Sequence, residues 1–157
     1  MNASIQKTAS DLAALRGDAK RLVNTTPDST SIQLCIASTR AEFAGRVDEA
    51  RALAVQAWQA ANDDFEACVA AHYVARYQDE PQAALDWNQE ALARARAAGD
   101  ERVHDFYPSL YVNLGRAHEL LGDQAEDRRY YQLAADLGLA HQEGYAPGRR
   151  APKPPTT

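Results

Sequence analysis

The sequence predicts an all-α protein of about seven helices arranged in repeated pairs. Three observations carry that prediction. Alanine supplies about one residue in five of the 157, whereas Val and Ile together number ten. Ala and Leu head the helix scale and β-branched residues the strand scale, so this composition excludes a β-rich domain. Apolar residues recur at helical spacing almost end to end, broken by short clusters of Gly, Pro, Asn and Asp. Matching positions in successive helix pairs then return after 34 residues.

The elements follow in chain order. Residues 3–23 place Ile5, Ala9, Leu12, Leu15, Ala19 and Leu22 on one helical stripe, and residues 1–27 are expected to form an N-terminal packing helix. Asn24–Asp28 breaks the pattern, and Asp28 or Ser29 is placed to cap a helix that runs to Gly45. Further helices are predicted over about 47–61, 64–78 and 81–98, the last starting at Pro81, where a missing N–H costs nothing. Another lies within 101–121, with Pro108 as a kink or a late start. The last covers about 124–139, and Asp123 with Glu126 has capping-box spacing. Residues 144–157 are rich in Pro and Gly and read as a disordered tail.

The period emerges on superposing the second helix of each pair. Ala50 to Ala84 is 34 residues, and so is Ala57 to Ala91. Ala91 to Ala134 is 43, which places a nine-residue extension at Ala97–Asp105, expected to lengthen both flanking helices. Residues 28–143 thus divide into three helix pairs.

A 34-residue helix–turn–helix period resembles the tetratricopeptide repeat family. The third copy matches best: Tyr111 at the bulky aromatic position, Leu114-Gly115 at the Leu-Gly pair, Gly122-Asp123 at the turn, and Tyr130, Tyr131 and Ala134 in the second-helix core. His118 replaces the usual Tyr. The second copy keeps Ala84, Trp87 and Ala91; the first keeps Ala41, Gly45, Ala50 and Ala57, with Ser38 at a small-residue position. Asp127 and His72 depart from the pattern, His72 unless its helix slips by one residue and Ala71 takes the small position. The stretch Ala91–Tyr131 also resembles bacterial members of the family. The resemblance implies a right-handed α-solenoid whose first helices line a concave groove.

That groove supplies the candidate site. In the second copy it would present Tyr73, Arg76 and Tyr77, and in the first Thr39 and Glu42 beside Cys35 and Phe43. In the third it would present Asn113, Arg116 and Glu119 beside Ser109 and Val112. Tyr and Arg dominate interface hot spots, so Tyr73, Arg76, Tyr77 and Arg116 are the expected anchors for a protein or peptide ligand. Asn113 and Glu119 would set its register, with Thr39 and Glu42 extending the site. Family members that clamp a C-terminal carboxylate need Lys, Arg and Asn where this chain has Cys35, Thr39, Ala70, Ser109 and Asn113, so no such clamp is expected.

Other classes are disfavoured. Residues 1–144 carry 14 basic against 22 acidic side chains, and an acidic body repels phosphate, so no nucleic acid partner is expected. No run of 18 apolar residues exists, which argues against a membrane span, and the first residues lack a secretory pattern, so a cytoplasmic protein is expected. Cys35 and Cys68 read as small buried residues rather than a redox pair. No glycine-rich phosphate loop, GxSxG or HExxH is present, so neither an enzyme nor a cofactor or metal is expected. His118 is expected to pack between repeats, and Asp63-Asp64 and Asp79-Glu80 to act as solvated caps. Two functions remain: an interaction module, which is preferred, and a regulator whose curvature responds to a small molecule or peptide. Self-association through an end of the stack is compatible with either.

Overall fold

The structure is a computed structural model, and it describes residues 28–137 together with Arg16, Gly17 and Lys20. Seven helices lie in this region: α1 (Thr30–Phe43), α2 (Val47–Ala60), α3 (Asp64–Arg76), α4 (Pro81–Ala98), α5 (Glu101–His104), α6 (Tyr107–Leu120) and α7 (Gln124–Asp136). No strand occurs among the described residues, and no helix there is long and apolar enough to cross a membrane. The N-terminal packing helix and the Pro-rich tail expected from sequence lie outside the described residues, save the three named positions near the start.

Side chains and glycines set the helix ends. Ser29 is extended, and its hydroxyl accepts from the Ile32 N–H, making it the α1 cap. Asp63 accepts from the Glu66 N–H at 2.8 Å, and the Glu66 carboxylate accepts from the Asn62 N–H at 2.8 Å. Asp63 thus satisfies one donor that the first turn leaves without a partner, and Glu66 holds the residue before the cap. Gly45 and Gly122 sit at φ of 78° and 79° in the turns that follow α1 and α6, a backbone region that strains any residue with a Cβ.

Helices pack mainly as antiparallel neighbours in sequence: α1 on α2, α3 on α4 and α6 on α7. Successive pairs are joined where α2 meets α3 and where α4 meets α6, and α1 also touches α3. The α1–α2 contact shows how small residues set the spacing. Ala50, Ala54 and Ala57 are fully buried along α2. Opposite them, Ser38 donates to the Ala50 carbonyl at 2.7 Å and Ser31 to the Ala57 carbonyl at 2.8 Å. Seven residues separate the two serines and seven the two alanines, so the bonds fall two turns apart on facing stripes. Each hydroxyl is buried yet partnered, which removes the desolvation cost of placing it there.

One expected element divides. The span 101–121 holds two helices, because Pro108 cannot carry an interior helical N–H and α6 starts just before it. The extension does not simply lengthen its flanks. Gly99, at φ 59°, stops α4, and the next residues form the single turn α5. That turn sends Val103 into the core, and Phe106, the residue before α6, follows it inward and lies edge-on to Phe65 at 5.8 Å.

Gly115 is a close-packing position, as its place in the third pair suggested. A Cβ built there would stand 2.9 Å from the Tyr131 ring, inside contact distance. Gly115→Leu is expected to lower stability by about 1–3 kcal/mol or more through overpacking. Urea denaturation measures this, and wild-type stability would contradict the packing. Both cysteines are free and buried, as expected. Burial pushes the Cys68 thiol up to about 12 and drives Cys35 higher still, with the Glu66 carboxylate adding to the latter. Thiolate is the reactive form. Neither thiol should therefore react with Ellman's reagent at pH 8 in the folded protein, and both should react in guanidinium.

Candidate partner-binding face

The predicted site residues lie on α1, α3 and α6, and the structure brings those of the first two helices into one cluster. Glu42, near the end of α1, receives the Arg76 guanidinium in a two-pronged contact at 2.9 and 3.1 Å. It also accepts from the Tyr77 hydroxyl at 2.8 Å. Tyr77 Oη stands 3.1 Å from Ser38 Oγ, so the serine that meets α2 also meets the end of α3. One turn earlier, Thr39 Oγ1 lies 3.2 Å from Tyr73 Oη and 3.2 Å from the Cys35 carbonyl oxygen.

The cluster is largely dry. The side chains of Glu42 and Arg76 are 4% and 14% exposed. Burial holds the Tyr77 phenol far above its ordinary value; the Ser38 contact works against that shift and the Glu42 carboxylate adds to it. In low-dielectric surroundings each bond strengthens, and each partner becomes costly to strand.

This arrangement corrects the expectation that Tyr73 and Tyr77 stand in the groove as exposed anchors. They are 0% and 2% exposed, and their hydroxyls are engaged by α1. Thr39 and Glu42, expected to extend a ligand site, are buried for the same reason. Helical spacing grouped all four on the sides of α1 and α3 that meet, but it gave no sign that the phenols reach across to the neighbouring helix. The available signal was numerical: Thr39 to Tyr73 and Glu42 to Arg76 are both 34 residues apart.

The α6 residues are more open. Arg116 is half-buried and Glu119 exposed, with Glu119 accepting from the Tyr131 hydroxyl at 2.7 Å. The half-buried Asn113 side-chain amide lies 3.2 Å from Nδ1 of His72 and links α6 back to α3. His72, which departs from the small-residue pattern, thus has a structural partner. His118, expected to pack between repeats, instead packs within the third pair: its ring stacks on Tyr130 at 5.6 Å, with Nδ1 3.5 Å from the Asp123 carboxylate.

Trp58 and Trp87, which read from sequence as core residues near repeat junctions, are partly buried against the core; their pairing with each other and with arginine was not read from sequence. Trp58 meets Trp87 edge-on at 5.2 Å, and Arg94 covers Trp58 while pairing with Asp64 at 3.1 Å. Asp63, Asp64 and Asp79, read as solvated caps, also pair with Arg102, Arg94 and Arg51. These pairs are half-exposed and contribute little to stability.

No family model, curated protein or solved structure matches the chain. The reading of the face therefore rests on its own residues.

Glu42→Ala strands the Arg76 charge and is expected to cost about 3–5 kcal/mol. Glu42→Leu with Arg76→Leu should recover much of that loss, because no unpaired charge remains. Denaturant unfolding of the single and double variants checks both expectations. A loss below 1 kcal/mol in Glu42→Ala would show that the cluster does not hold α1 to α3.

Proposed function

We propose that the chain is a non-enzymatic, tetratricopeptide-like repeat module that binds a protein or peptide segment along the face formed by α1, α3 and α6. The observation that carries this reading is the pairing across 34 residues. Thr39 with Tyr73, and Glu42 with Arg76, join matching positions of consecutive first helices. A 34-residue repeat places such positions side by side. Those two pairs also favour the unslipped register, in which His72 follows Ser38 by one repeat.

The chemistry of the face supports a macromolecular ligand. The Arg76 side chain is largely buried against Glu42, so the binding weight moves to α6. There Arg116 offers planar, multidentate donors, Asn113 an amide, and Glu119 a carboxylate at the open margin. Three short helices offer less area than a standard interface of about 1,200–2,000 Å², so affinity would rest on few contacts.

Photo-crosslinking tests the proposal. A benzophenone amino acid at position 116 or 119 is expected to capture a partner from cell extract. The same group at Val55, exposed on α2, should not. Capture at Val55 alone, or at none of the three positions, would overturn the assignment of this face.

A further inference from the structure

The helix starts fix a register. The first helices of the three pairs begin at Thr30, Asp64 and Tyr107, and the second helices at Val47, Pro81 and Gln124. Both series step by 34 and then by 43 residues, so a position in α1 has counterparts in α3 and α6. Ser38, His72 and Gly115 are one such set, and Ala54, Asn88 and Tyr131 are another. In the third pair these two sets trade volume, since glycine at 115 admits the ring of Tyr131. The Tyr131 hydroxyl then reaches Glu119 at 2.7 Å.

Glu42, Arg76 and Glu119 form a third set, along which charge alternates as acid, base, acid. Glu42 is neutralised from the next first helix, which brings it the Arg76 guanidinium and the Tyr77 hydroxyl. Glu119 stands at the same register of α6. Tyr131 gives it a hydroxyl, as Tyr77 gives one to Glu42. Among the described residues, no guanidinium pairs with Glu119 as Arg76 does with Glu42. Glu119 is exposed, and so are Leu120 and Leu121 beside it, at 47% and 42%. The margin of α6 thus carries one half of an interface that the chain already completes once, between α1 and α3.

We propose that this margin receives a helix of a partner protein, laid beside α6 as α3 is laid beside α1, with an arginine that takes the Glu119 carboxylate. This rests on the function proposed above and adds the class of partner: a basic amphipathic helix that sets apolar side chains against Leu120 and Leu121. Arginine suits the place better than lysine, because its planar fork meets both carboxylate oxygens, as Arg76 meets those of Glu42. Net charge favours the encounter. Residues 28–137 carry 10 basic and 19 acidic side chains, a balance of −9 that draws a cationic partner and turns away an acidic one.

The probe is a fluorescent, capped and stapled helix of residues 67–78 with Cys68→Ala, which carries Arg76. It is titrated into the full chain. Saturable binding is expected, with the amide signals of Arg116, Glu119 and Leu120 shifting. Glu119→Arg should weaken binding about tenfold or more, whereas Glu101→Arg, the same change of charge on α5, should leave it within about twofold. A peptide with Arg76→Glu should lose affinity for the unaltered chain and regain it for the Glu119→Arg chain. Circular dichroism checks that both chain variants fold. No binding, equal binding to the unaltered and Glu119→Arg chains, an equal loss in Glu101→Arg, or no recovery on exchanging the charges overturns the proposal. So do shifts confined to Ser38 and Thr39, because the peptide would then have replaced α3. Crosslinking at position 116 reads the broader function separately. A partner captured there by a chain that ignores the peptide leaves that function standing while this assignment falls.

Discussion

The Glu42 carboxylate is the interaction on which the arrangement of helices most depends. It is a buried charge at the end of α1, and its partners, Arg76 and Tyr77, close the end of α3. A carboxylate without them would be costly in such surroundings. The two helices are therefore held in one relative position, since sliding either by a turn would break all three bonds together. Apolar contact alone resists such sliding weakly, because one alanine replaces another at little cost. The alanine stripe of α2 sets how close the helices approach, and the polar cluster sets where along their length they stop.

The same side chains link layers that are distant in sequence. Ser38 touches the α2 backbone and the α3 phenol, so the spacing within the first pair and the junction to the second share one hydroxyl. The second junction is built differently. Phe65 against Phe106 and the contact of His72 with Asn113 bring α3 towards the third pair, and neither is an ion pair. The chain between α4 and α6 makes the first of these possible, because after the one-turn helix α5 it brings Phe106 inward at the start of α6.

Much of the fold was legible in the sequence, for local reasons. Ser29, Asp63 and Asp123 cap where their side chains can reach the next free N–H groups, a matter of three or four residues. Gly115 was legible because a glycine inside a helix invites a packing reason, and the Tyr131 ring supplies one. The division of 101–121 was only half legible. Pro108 announced a boundary, but the inward turn of Val103 and Phe106 depends on distant partners such as the Phe65 ring of α3. The candidate site was least legible. Periodicity put Tyr73 and Tyr77 on one side of α3, but a phenol can lie along a surface or reach to a neighbour. The choice depended on Thr39 and Glu42, more than 30 residues away. Arg76 was read as an anchor because arginine suits interfaces, and the same planar, multidentate head suits a buried carboxylate equally well.

The uneven seams carry a mechanical consequence. The first pair is tied to the second by α2 on α3, by α1 on α3, and by the Glu42 cluster. The third pair leans chiefly on α4 through α6. A seam without a buried charge has less to lose on sliding, so local opening is expected to begin between α6 and α4 rather than between α1 and α3. Such an opening would carry Arg116 and Glu119, which lie on α6, away from α3.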